Sequence, residues 1–393
     1  MPMLITADAL IDGSGSVHRP GALLIEGERV VTAGERVAAP SGTDRVHFEG
    51  GTILPGLIDC HVHLSDAGLP DATVQDRDPP ALRTLRIAEH ARRTLEAGFT
   101  TVRDVGGRDH LEFGFRRAVA EGLVRAPRLV LAGKIISITT AGASAWQGMY
   151  RQADGPDEVT KAVREQVAAG ADVIKVMATG AFLSPGHERP GAAQLTPAEL
   201  RAAVDTAHTL GRRVAAHAHG IEGIRNAVEA GVDTIEHGTY LHEDRAVGRA
   251  MAKRGVFLVP TLKTLHGIVD GPGVPADIVA KERDRGADRD KTFRAALEDG
   301  VPIAMGTDAA TPYNRHGENA EELAIMVELG MSAMAAILAT TAEAARAIGR
   351  DDIGVLAAGM LADFAVWRGD PLADVRLLER APLALFLGGE RLV

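Results

Sequence analysis

From residue 52 to about residue 340 the chain alternates short Val/Ile-rich runs with longer Ala/Arg/Glu-rich stretches, and no other feature restricts its fold as much. The runs Thr52–Cys60, Phe99–Asp104, Arg128–Ala132, Asp172–Met177, Arg213–Ala216, Asp233–Glu236, Val256–Val259 and Pro302–Met305 read as strands. Helical patterns fill the gaps, for example at Pro80–Ala97, Asp157–Ala169, Pro197–Leu210 and Lys281–Asp299. A glycine after the helix and just before the next strand recurs at Gly98, Gly170, Gly231 and Gly300, as expected of a helix C-cap. Eight strands, each followed by a helix, fit an α/β fold of the (β/α)8 TIM barrel type better than an open doubly wound sheet.

The ends read differently. Residues 1–51 ("ALLIEGERVVTAG") and 353–393 ("PLALFLGGERLV") are strand-like and rich in turns. The simplest organisation is a small β-sandwich domain built from both termini, flanking a barrel over residues 52–352.

Composition removes several classes of partner. The net charge of −10 argues against nucleic acid or an acidic membrane. No apolar run approaches the roughly 18 residues that a span needs. The start, "MPMLITADALIDG", lacks the basic flank and apolar core of a signal peptide, so the expected setting is cytoplasmic. The single cysteine, Cys60, permits no internal disulfide and no thiolate cluster. Any metal must therefore be held by His, Asp, Glu or Lys.

In such a barrel, functional groups sit at the C-terminal ends of the strands. The first strand, in "LPGLIDCHVHLSD", ends in His61 and His63, which alternation points to one face. The fourth, "ADVIKVMATG", carries Lys175; the fifth, "RVAAHAHG", ends in His217 and His219. The sixth, "DTIEHGTY", ends in His237, and the eighth, "PIAMGTDAA", in Asp308. Each alone has an ordinary structural reading, as a satisfied core histidine, a snorkelling lysine or a helix cap. Six potential ligands on one rim are hard to obtain by chance. Lys175 is the informative one, because only seven of the 43 basic residues are lysines and this one lies in the most apolar strand. Burial there favours the neutral, nucleophilic amine. Such an amine adds carbon dioxide to form a carbamate, an anionic oxygen ligand able to bridge two metals. A plain lysine lining the barrel is the alternative.

The set "HVH", "VIKVMATG", "VAAHAHG", "IEHG" and "GTD" resembles the metal-dependent amidohydrolase superfamily in its two-metal form, in particular the imidazolonepropionase-like and prolidase-like branch of Xaa-Pro dipeptidases and carboxypeptidases. The resemblance covers nearly the whole chain, including "TTVRDVGG", "GENAEELAIMVELGMS" and "IGVLAAGMLADFAVWRGDPL". It implies that His61, His63 and Asp308 hold one divalent metal, that His217 and His237 hold the other, and that carbamylated Lys175 bridges them. The implied metal is zinc. It also implies hydrolysis of an amide C–N bond, in a small peptide or an N-acyl amino acid, by attack of a metal-bound hydroxide. Asp308 then serves as general base and acid. Tyr240 is a candidate donor to the developing oxyanion, and His219 a contact to substrate or to the ligands.

The resemblance carries departures too. Deaminases of the superfamily place a glutamate where this chain has Gly220, and a non-catalytic scaffold should have lost ligands that are present here. Peptidase relatives carry Gly-Gly-His in the loop after strand three, where "ISITTAGASAWQGMY" has Ala143 and Ser144. Candidates to replace that histidine at a substrate carboxylate are His187, Arg189, Arg315 and His316. Trp146, Met149 and Tyr150 in the same loop suit a bulkier partner, so a larger modified peptide, or a lactam or imidazolone ring, stays open as substrate. A homo-oligomer is left open as well.

Overall fold

The computed structural model describes residues 2–184 and 188–393, apart from the side chains of Ala72, Thr73, Ala145, His266 and Asp284. Parallel strands at Leu57–Val62, Phe99–Asp104 and Arg128–Leu131 form one arc of a barrel. The other arc contains Val173–Met177, Arg213–Ala218, Thr234–His237 and Phe257–Val259. Backbone hydrogen bonds join the two arcs. Asp172 N donates to Leu131 O at 2.8 Å, and Val176 pairs with Ile136, in the strand Ile135–Ser137 that continues the third. On the far side the eighth segment closes the ring. Leu258 N donates to Pro302 O at 2.9 Å, and Cys60 N donates to Met305 O at 2.9 Å.

Two of the expected strands differ in form. Thr52–Cys60 is not one strand: Asp44–Pro55 belongs to a terminal sheet and Leu57–Val62 to the barrel. The break falls at Gly56, where a Cβ would overlap the side chain of Thr100, so only glycine lets the chain pass from one sheet to the other. Pro302–Met305 forms an isolated bridge at Ile303, with no continuous ladder. The amide of Met305 is taken by Ala339 O at 2.7 Å, outside the barrel sheet, which interrupts the pairing.

Both chain ends enter one eight-stranded sheet. In spatial order it runs Glu390–Arg391, Ala384–Leu387, Phe364–Arg368, Asp44–Pro55, Pro2–Ile11, Gly21–Glu26 and Arg29–Gly34, with Val17–His18 against Pro2–Ile11. Residues of six of these strands, among them Ile5, Leu23, Val30, Ile53, Phe364 and Phe386, share one core, with the Phe364 and Phe386 rings stacked at 4.3 Å. Trp367, Leu385 and Leu54 point the other way and join the core of the barrel. This is the period-2 alternation of strands buried on both faces.

The helices follow their local signals. Gly170 and Gly231 close Pro156–Ala169 and Ile221–Ala230 in the left-handed conformation. Thr196 and Glu199 form a capping box at the start of Pro197–Thr209. Between strands seven and eight lie Thr264–Asp270 and the long helix Ala276–Glu298, which begins five residues before Lys281. No helix among the described residues is long and apolar enough to cross a membrane.

Trp367 is the largest side chain joining the terminal sheet to the barrel. It is 1% exposed, lies against Gly98, and donates from Nε1 to Arg380 O at 3.1 Å. Trp367→Ala is expected to destabilise the protein by about 3–5 kcal/mol, read as a lower urea midpoint. A loss below about 1 kcal/mol would show that the barrel does not lean on this contact.

Candidate metal centre and active site

Strand ends bring the predicted rim residues into one buried cleft. His61 Nε2 and His63 Nε2 lie 3.4 and 3.3 Å from Asp308 Oδ1. The ring of His237 lies 5.0 Å from that of His61 and 4.6 Å from that of His217. Two groups result, His61 with His63 and Asp308, and His217 with His219 and His237; within each, ligand atoms lie within 4.8 Å of one another. Asp308 and His237 both adopt left-handed backbone conformations, with φ of 57° and 69°. Such φ values are uncommon for non-glycine residues and cluster at functional sites. At His237 the reason is geometric: strict alternation would send it away from the face that Glu236 lines, and the left-handed turn brings its ring back into the cleft.

Lys175 lines the same cleft, 2% exposed. Its Nζ has no hydrogen-bond or ion-pair partner among the described residues, and burial lowers its pKa to about 8. Burial and the neighbouring Lys175 lower His217 to about 3, and burial holds His219 and His237 well below the ordinary imidazole value. These are neutral imidazoles, the form that coordinates metal.

A second layer of bonds sets which ring nitrogen each histidine offers. His61 Nδ1 donates to Glu236 Oε2 at 2.7 Å, and His63 Nδ1 to Gly106 O at 2.9 Å. His237 Nδ1 bonds Thr261 Oγ1 at 2.7 Å. These three therefore present Nε2 to the cleft. His217 is reversed, because its Nε2 donates to Gly180 O at 3.1 Å and leaves Nδ1 free. Glu236 is itself clamped: Oε1 accepts from Arg103 Nη2 at 2.8 Å and from the hydroxyl of Thr234. Burial pushes the Glu236 carboxyl up, but Arg103 and His61 outweigh it and hold it below the usual range. Asp308 is likewise held well below the carboxylate range, because His61 and His63 outweigh its burial.

The other candidates scatter. His219 lines the cleft, stacked on His237 at 4.8 Å and bonded through Nδ1 to Thr239 Oγ1 at 2.7 Å. The ring of Tyr240 lies beside Gly191 in the loop after strand four, and its hydroxyl is within electrostatic reach of Arg285 and Glu282, which line the cleft. His316 is buried, stacked on His90 at 4.5 Å with Nε2 donating to His63 O at 3.2 Å, so it supports a rim residue. Arg189 and Arg315 are exposed and outside the cleft wall, as long charged side chains on loops tend to be. His187 lies outside the described residues. Trp146, Met149 and Tyr150 do line the cleft. Sequence reasoning missed Glu236, Arg103, Asp66, Phe182, Glu282 and Arg285. The first two sit inside the motifs "IEHG" and "TTVRDVGG", where an ionisable residue within a barrel strand is itself a signal. Glu282 and Arg285 reach the cleft from the helix Ala276–Glu298, whose charged sequence resembles a solvated face.

Glu236→Gln should expose how much the second layer carries. With Arg103 left buried without its counter-charge, a loss of about 3–5 kcal/mol is expected, read by urea unfolding of metal-free protein. Affinity for divalent metal should fall about 10–100-fold in competition with a chelator. Parental values for both would mean that Glu236 neither balances Arg103 nor orients His61.

Residues 52–392 match the model of the amidohydrolase family. Ochratoxinase of Aspergillus niger is 31% identical over 98% of this chain and 86% of its own length, and its crystal structure superposes with a TM-score of 0.91 over 99% of this chain and 95% of the other. A crystal structure of a Xaa-Pro dipeptidase with bound methionine in its active site is 33% identical, with a TM-score of 0.91 over 100% of this chain and 99% of that one. Imidazolonepropionase of Salinispora tropica is 28% identical over 92% of this chain and 89% of its own. The chain belongs to the amidohydrolase family and is a hydrolase acting on carbon–nitrogen bonds.

Proposed function

We propose that this protein is a binuclear metal-dependent amidohydrolase that cleaves an amide bond in a small peptide or an N-acyl amino acid. The observation that carries the reading is Lys175: a buried amine with no partner among the described residues, lining the cleft that holds the two histidine groups. The donor set fits two zinc ions. His61, His63 and Asp308 would hold one, His217 and His237 the other, with the Lys175 carbamate between them. When bound, the pair supplies Lewis acidity toward the carbonyl and lowers the pKa of water.

The chain's own residues do the rest. Neutral Lys175 adds carbon dioxide, forming an N–C bond and releasing one proton. Asp308, ionised in the cleft, takes a proton from the attacking water as its oxygen bonds to the carbonyl carbon. It passes that proton to the amide nitrogen as the C–N bond breaks. The glutamate typical of deaminases has no room here, since even a Cβ at Gly220 would overlap Gly191 O. Ile135, Met149, Met177, Phe182 and Ile268 give the cleft an apolar wall, which suits an apolar side chain on the substrate. Trp146 in that wall favours, as a second reading, a substrate larger than a dipeptide.

Metal content tests the proposal. Protein loaded with zinc and bicarbonate should carry about two metals per chain, and Lys175→Ala should lose metal and activity together, with partial return in acetate or propionate. Because the Lys175 amine titrates near 8 instead of 10.5, its reactive neutral form grows as pH rises toward 8. At a fixed concentration of dissolved carbon dioxide, the rate of loading should therefore climb about tenfold per pH unit below 8. One metal in replete protein with unmodified Lys175 by mass spectrometry would overturn the two-metal reading.

Asp308→Asn should fold and still turn over several orders of magnitude more slowly, with the loss in kcat. Near-parental kcat with metals bound would assign the proton transfer to another residue.

A further inference from the structure

Beyond the end of strand two lies an acid that the proposed chemistry does not use. Glu112 stands in the first turn of the helix Leu111–Ala120 and is fully buried. Neither of its carboxyl oxygens has a hydrogen-bond partner among the described residues. The head group packs on Gly107, where a Cβ would overlap both oxygens, so glycine supplies the cradle. The charged groups around it are engaged elsewhere. Arg116, one turn along the helix, pairs with Asp172 at 2.6 Å, and Lys134 lies 3.5 Å from Asp109. Arg108 is held by Asp66 and Asp76, and His110 Nε2 donates to Gln166 Oε1 at 2.8 Å. Asp104, at the end of the strand Phe99–Asp104, accepts from Leu64 N and Gly106 N, both at 3.0 Å, and is the better placed of the two acids to carry charge. A second buried carboxylate beside it, without hydrogen bonds, is costly. Burial and the charge of Asp104 outweigh its own backbone N–H, Arg116 and Lys134, and push the Glu112 carboxyl up to about 8.

The turn that carries the cradle is strained. Asp109 and His110 follow one another in the left-handed conformation, with φ of 53° and 60°. Non-glycine residues hold such values only where their surroundings impose them. Gly107 N donates to Gly133 O at 2.9 Å, and Asp109 N to Gly148 O at 3.0 Å. The second bond reaches the loop whose next residues, Met149 and Tyr150, line the cleft. We propose that Glu112 is a pH-sensitive latch on this turn: its neutral carboxyl lets residues 105–110 close over it, and its ionisation favours the open turn and loosens the cleft wall that Gly148 joins. Proton linkage sets the direction. In the open turn water returns the carboxyl toward its ordinary value of 4.5, so the open form sheds a proton that the closed form keeps. Opening therefore grows with pH between those two values and levels off above about 8. The purely structural role would be an acid that stays ionised on an internal water and fills space.

The test is hydrogen exchange read by mass spectrometry on the zinc-loaded full chain, comparing the parent with Glu112→Gln, which keeps the shape and cannot ionise. Exchange is corrected for the intrinsic pH dependence of free amides. From about pH 6 to about pH 8, protection of residues 105–111 in the parent, relative to Glu112→Gln, is expected to fall about tenfold per pH unit. The strand Phe364–Arg368 of the terminal sheet should keep a constant ratio over the same range. Glu112→Met, apolar and of similar length, should match the glutamine variant, and it serves if that one does not fold. Infrared spectra of the parent at about pH 6 should also show a neutral-acid carbonyl band that both variants lack. A ratio that stays constant for residues 105–111 overturns the latch, because Glu112 is then already ionised in the closed turn. An equal slope in Phe364–Arg368 overturns it as well, since the whole chain is then opening and not one turn. If neither variant folds, the parent decides alone: a fall in corrected protection confined to residues 105–111 supports the latch, and a flat profile there overturns it.

Discussion

The centre of this barrel is a buried set of charges, and the ion pair of Glu236 with Arg103 is the interaction on which the site depends. Arg103 is 1% exposed and Glu236 is fully buried. Neither could stay ionised there alone, because an unpaired buried charge is strongly destabilising. Together they leave no strong group idle. Arg103 donates to Cys60 O at 2.6 Å and to Thr234 Oγ1 at 3.1 Å, and Glu236 spends its remaining oxygen on His61. Strands one, two and six are thereby locked in register at the level of the rim. A second brace joins strands one and eight, where Asp59 accepts from Thr307 Oγ1 at 2.6 Å and Asn319 Nδ2 at 2.7 Å. The histidines above these braces inherit their positions. Their tautomers are consequences of packing, set before any ligand arrives.

What could be read from the sequence were the properties that act locally. Period-2 alternation placed His61 and His63 on one face, and glycines after helices marked the start of strands. The six rim residues meet in the structure because the strand ends of a closed barrel must meet. The features that escaped depend on distant partners. Nothing near Gly56 announces that Thr100 will press against it. Nothing in "PIAMG" shows that the amide of Met305 will be claimed by Ala339. Arg285 was hidden for another reason. In "AKERDRGADRDK" nine of twelve residues are charged, which looks like solvated surface, and burial of three of them depends on where the insertion folds back.

The cleft divides its labour along the same line. Groups that would hold metal or move protons stand on strands, or just past their ends, braced by hydrogen bonds. Groups that would select the substrate stand on connections: Trp146 and Met149 after strand three, Phe182 after strand four, Arg285 between strands seven and eight. A strand-borne ligand cannot shift without disturbing the barrel ladder, whereas a connection can change its side chains with little effect on the ring of hydrogen bonds. That separation fits the superposition of this chain, over nearly its full length, on structures named for a Xaa-Pro dipeptidase and an ochratoxinase.

Charge makes the division sharper. Burial holds His217, His219 and His237 neutral while Asp308 is ionised, and a carbamate on Lys175 would add a further negative charge to be balanced by metal. A substrate carboxylate placed directly among those groups would be repelled once the metals were screened by their own ligands. Arg285, a cation lining the cleft, lies over the Phe182 ring on a separate element, beside Glu282. The charges on the rim and the cation of the inserted helix thus stand on different elements, with the Phe182 ring between Arg285 and His219.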